Sequence, residues 1–109
     1  EGPGNVLMIE MAYDNVVEMF CGFGQKGVSA ETVAARVVGE ARQFHASGAA
    51  VGEHMADQLL IPMALAGAGN FTTNVLSLHL KTNAEVIEKF MPVKFDNDVT
   101  DGVINVQVL

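Results

Sequence analysis

FTTNVLSLHLK, residues 71–81, decides how the second half of this chain is read. Its residues alternate: Leu76, Leu78 and Leu80 fall on one side, and Ser77, His79 and Lys81 on the other. That is the two-residue period of a β-strand. On this reading His79 points away from three leucines. A packing role is weakened, and a surface histidine or a nucleophile is left. Just beyond, Thr82 and Glu85 have the spacing of a capping box, which predicts a short helix over NAEVIEKFM closed by Pro92.

Working outward, VKFDNDVTDGVINVQVL reads as a hairpin with Asp101-Gly102 at the turn and Ile104, Val106 and Val108 on one face. Upstream, EHMADQLLIPMALA, from Glu53, reads as a helix ending in GAG, with Met55, Leu59, Leu60 and Met63 on a common side. Pro62 inside it cannot donate to the Gln58 carbonyl, so a bend is expected. The clearest helix starts at Ser29 as N-cap, with Val33, Val37, Val38, Ala41 and Phe44 at helical spacing up to Ser47-Gly48. VLMIEMAY and VVEMFCGF flank Asp14-Asn15 and predict an antiparallel hairpin. Small residues in ASGAAVG mark a weak boundary between the two halves.

Composition sets outer limits. Of 109 residues, 50% are apolar and only 17% charged, and mean hydropathy is +0.28. A lone domain of 11.6 kDa buries too small a share of its surface to cover so much apolar material. The longest apolar run, LLIPMALAGAG, is too short to span a membrane and carries Pro62. With no initiator Met before Glu1, a piece of a larger protein is the economical explanation, its apolar surface packing on the remainder of the same polypeptide. The same surface would promote self-association of the isolated chain. The single Cys21 fits a reducing, cytoplasmic setting and reads as a small buried hydrophobe. Net charge is −7 with six scattered basic residues, so a polyanion would find few phosphate contacts here.

Three patterns suggest chemistry. GFGQKG, residues 22–27, matches the dinucleotide-binding glycines literally, but the helix cap lies beyond them at Ser29 and no second parallel strand follows. A glycine-rich connection is the better reading. His45, His54 and His79 have no short-range metal-ligand spacing, so no metal ligand is assigned, and His45 reads as a solvent-facing residue at a helix C-terminus. EHMADQ gathers Glu53, His54, Asp57 and Gln58 in little more than one helical turn. It is either a solvated helix start or a ligand cradle offering a flat ring, a carboxylate and an amide.

Taken in order, GPGNV, VSAETVA, AVGEHMADQLLIPMALAGAGNFTT, LSLHLKTN and FMPVKF closely resemble the C-terminal part of the RNA 3'-terminal phosphate cyclase family. The resemblance implies an α/β (α+β) fold. Residues 1–48 would be the C-terminal part of an inserted small α/β domain, and residues 49–109 the last part of a large catalytic domain built from βαβαββ-type repeats. The strand and helix readings above are compatible with this and could not have produced it. The resemblance further implies ATP-dependent conversion of RNA 3'-phosphate ends to 2',3'-cyclic phosphate through a histidine–AMP intermediate. His79 matches the nucleophile. His54, Met55, Ala56, Asp57 and Gln58 match the nucleotide-binding segment, with His54 against adenine where relatives often carry tyrosine. ATP and a divalent ion, magnesium, are the implied cofactors, the ion without a ligand assigned in this chain. Cyclase-like scaffolds of pre-rRNA processing are the alternative, and they lack the nucleophilic histidine that is present here.

Overall fold

A computed structural model describes residues 5–109. GPGNV therefore begins outside the described residues. The fold is mixed α/β, with two sheets and three helices among the described residues, in the order β-β-α-α-β-α-β-β. The chain divides into two compact units, the first running to Ala46 and the second covering Ser47–Leu109.

In the first unit, β1 (Val6–Ala12) and β2 (Val17–Phe23) pair antiparallel, and the Tyr13 N–H donates to the Val16 carbonyl at 2.8 Å with Asp14 and Asn15 between them. The expected hairpin is present. Helix α1 (Ala30–Ser47) opens where the Ser29 hydroxyl accepts the Thr32 N–H at 3.1 Å. Its buried stripe is Val33, Val37, Ala41 and Phe44. The Phe44 ring meets Phe20 at 5.7 Å and Tyr13 edge-on at 5.8 Å. Gly22 lets β2 approach this stripe, since a Cβ there would lie 2.5 Å from Val37 Cγ2. The first glycine of GFGQKG thus serves packing. His45 is exposed in the last turn of α1 and shares a 3.0 Å hydrogen bond with the Tyr13 hydroxyl. Cys21 corrects its expectation. It is exposed on the face of the hairpin turned away from Gly22, with its cross-strand partner Met8.

The second unit carries α2 (Glu53–Ala66), β3 (Asn70–Thr73), α3 (Leu78–Phe90), β4 (Phe95–Thr100) and β5 (Val103–Val108). The strands form an antiparallel sheet in the order β3-β5-β4, with the tight turn at Asp101-Gly102, both at positive φ. Ile104 and Val106 are buried as expected, while Val108 is half-buried. Helix α2 buries Ala56, Leu60, Met63 and Ala64, a stripe shifted from the expected one, with Met55 and Leu59 half-buried at its margin. It continues through Pro62 and ends at Gly67, whose φ of 68° suits a residue without a Cβ.

The largest correction concerns residues 74–81. The strand stops at Thr73, and α3 has begun by Leu78. Leu78 and Leu80 therefore do not share a side: Leu78 is 77% exposed and Leu80 only 2%. Lys81 lies about 200° around the helix from His79 and leaves its face. Thr82 is inside the helix and caps nothing at its start.

Leu60 is fully buried, whereas Leu65 on the same helix is 73% exposed. Leu60→Ala is expected to cost about 2–5 kcal/mol in urea unfolding. Leu65→Ala should change stability by no more than about 0.5 kcal/mol.

Candidate active site

Two helices begin side by side because the segments feeding them run parallel. The Val51 N–H donates to the Thr72 carbonyl at 3.1 Å, the Ala50 N–H donates to Thr72 Oγ1 at 2.9 Å, and Val51 and Thr73 form a parallel bridge. From there one strand of chain enters α2 through Gly52 and the other enters α3 through Ser77. Chains that run parallel deliver the elements that follow them to the same end, so both helices present their first turns there.

The start of α3 is defined by Ser77. Its backbone is extended (φ −72°, ψ 159°), its hydroxyl accepts the Leu80 N–H at 3.1 Å, and its carbonyl accepts the Lys81 N–H at 3.1 Å. This is N-capping in its usual form. Burial of Leu80 then pins the first turn and leaves His79, the second residue of the helix, exposed. The helix itself offers no acceptor to the N–H groups of Leu78 and His79, so the positive end of its dipole lies beside the imidazole.

On α2, Gly52 supplies no side-chain cap, and the first turn carries Glu53 and His54. The His54 side chain is 87% exposed, and its Nε2 lies 3.7 Å from Glu53 Oε1. Asp57 follows one turn later, half-buried, and its Oδ1 accepts a hydrogen bond from Asn83 Nδ2 of α3. Glu53, His54, Asp57, Ser77 and His79 line an open cleft of about 230 Å³.

Of the residues singled out in the sequence, Glu53, His54, Asp57 and His79 meet at this cleft. Ala56 has no exposed surface and belongs to the core, Met55 is half-buried, and Gln58 is exposed on α2 away from the lining. Ser77 and Asn83 went unnoticed. Read with helical spacing, Asn83 is four residues beyond His79 and shares its face, and Ser77 stands where a cap belongs. No Lys or Arg lines the cleft. No cluster of three or more His, Cys, Asp or Glu suited to a metal occurs among the described residues.

The sequence profile of the RNA 3'-terminal phosphate cyclase family matches residues 8–97, which include every cleft residue. The chain belongs to this family. An RNA 3'-terminal phosphate cyclase of Pseudomonas fluorescens is 51% identical over 107 residues, 97% of this chain and 31% of the relative. One of Pseudomonas aeruginosa is 52% identical over 102 residues, 94% of this chain and 30% of the relative. The chain thus spans about a third of the length of these cyclases.

In this cyclase-family chain, Ser77→Ala should destabilise the α3 start by about 1 kcal/mol. Amide hydrogen exchange at Leu80 should accelerate, while exchange at Leu60 follows global stability alone. Unchanged protection at Leu80 would mean that the cap does not hold the turn that carries His79.

Proposed function

We propose that the full-length enzyme carrying this chain converts RNA 3'-terminal phosphate to 2',3'-cyclic phosphate at the expense of ATP, with His79 as the nucleophile. One observation carries the reading: His79 is exposed at a helix start and lines one cleft with His54 and Asp57. The first step forms a bond between an imidazole nitrogen and the α-phosphorus, and the bond to the bridging oxygen breaks, releasing pyrophosphate. An oxygen of the RNA 3'-phosphate then attacks the same phosphorus, and the N–P electron pair returns to the ring. Finally the RNA 2'-hydroxyl oxygen attacks the 3'-phosphorus, its proton is released, and AMP departs. Free N–H groups at the start of α3 suit a phosphate held beside the histidine.

His54 offers a flat ring for adenine, and Asp57 offers an acceptor for a hydroxyl or amino group of the nucleotide. Met55, Ala56 and Gln58 complete the matched segment; the buried Ala56 contributes backbone or packing rather than a side-chain contact. The fit to a divalent ion is partial. Glu53 and Asp57 are two carboxylates at one cleft, and magnesium is commonly held by one or two carboxylates together with phosphate oxygens. Bound there, it would neutralise phosphate charge.

A cleft of about 230 Å³ without a cationic side chain is too small and too acidic to hold a triphosphate alone. Small-molecule sites commonly enclose roughly 300–1,000 Å³. This supports the reading of the chain as one portion of the enzyme; by the family resemblance we place it at the C-terminal end, residues 1–48 closing an inserted small domain and 49–109 completing the large one. On this account the arginines and lysines for phosphate and RNA lie in the rest of a cytoplasmic polypeptide.

Incubation with α-labelled ATP and magnesium, followed by denaturation, should leave label on the full-length enzyme and none on its His79→Ala variant. The isolated 109-residue chain should retain little or none. Label surviving on the alanine variant would remove His79 from the mechanism.

A further inference from the structure

Asp57 is the one carboxylate at the cleft that another helix holds. Asn83 Nδ2 donates to its Oδ1 across the gap between α2 and α3, 26 residues away in sequence. An ionised carboxylate accepts at both oxygens. The contact therefore occupies one oxygen and leaves Oδ2 able to accept from a ligand in the cleft. Without the contact, a half-buried aspartate on the first turns of a helix samples several rotamers. Asn83 is also four residues past His79 and on its face. The hydrogen bond thus ties the face that presents the nucleophile to the group lined up opposite.

We propose that Asn83 is a positioning residue for nucleotide binding: its side-chain amide fixes the Asp57 carboxylate in the orientation in which the second oxygen meets the nucleotide. This rests on the function proposed above. Asn83 is exposed and does not line the cleft, so it acts through Asp57 and not on the nucleotide. Freezing one side chain at an interface commonly changes affinity by about three- to tenfold.

The test uses the full-length enzyme and reads the ATP concentration dependence of RNA 3'-phosphate cyclisation under multiple turnover. Asn83→Ala should raise the KM for ATP about three- to tenfold, with kcat at saturating ATP within about twofold of wild type. Asn83→Asp, which keeps the shape but sets two carboxylates together, should raise it further, and it serves if the alanine variant fails to fold. In Asp57→Ala, adding Asn83→Ala should change the KM no more, because the second residue works only through the first. A structural role for the clasp makes a different demand. The exchanged pair Asp57→Asn with Asn83→Asp keeps an amide–carboxylate contact between the helices, and under that role it would restore the wild-type KM. Under the proposal the KM stays raised, because the carboxylate now sits on α3. A wild-type KM in Asn83→Ala, additive effects in the double variant, or restoration by the exchange would overturn the proposal while wild type still takes label. If wild type neither binds ATP nor takes label, the function itself fails and the proposal falls with it.

Discussion

A serine hydroxyl accepting the Leu80 amide determines where α3 begins, and the site depends on that position. With the helix starting at Leu78, one turn is enough to turn Leu80 inward and His79 outward. Had the strand of residues 70–73 continued, Leu78 and Leu80 would have shared one side of a sheet, and Asn83 would have stood about 13 Å along the strand from His79 instead of one helical turn away. The parallel run of Ala50-Val51 against Thr72-Thr73 then brings α2 to the same end, and the Asp57–Asn83 hydrogen bond joins the second turns of the two helices. Capping, burial and one cross-helix contact are together sufficient to assemble the cleft.

Much of the fold was legible because its signals are local. Asp14-Asn15 and Asp101-Gly102 specify their hairpins within a few residues, and the apolar period of residues 33–44 identifies α1 without reference to the rest. The segment around His79 failed for a physical reason. Leucines at 76, 78 and 80 satisfy a two-residue period, and the same residues allow a helix that buries only Leu80. Choosing between them requires knowing what Leu80 packs on, which is long-range information. Cys21 shows the same limit, since the alternation of β2 does not reveal which of its faces α1 covers.

The residues of the candidate site were picked out by family resemblance more than by spacing. His54, Asp57 and His79 stand out as residues that match a family, and the fold brings them to one cleft. Asn83 did not stand out, because its partner is on another helix and no pattern within one segment announces such a contact. Electrostatics explains what the chain lacks as well. With a net charge of −7 and a cleft bounded by two carboxylates, the proposed phosphate ligand would need its countercharge from outside a chain that spans a third of the length of its relatives.

Backbone carbon chemical shifts of residues 77–83 in the full-length enzyme address the helical placement of His79 most directly. Cα shifts displaced downfield from random-coil values from Leu78 onward, with an extended Ser77 before them, are the result this account predicts. Upfield Cα shifts running through His79 to Lys81 would restore the strand, and with it set His79 and Asn83 about 13 Å apart instead of one helical turn.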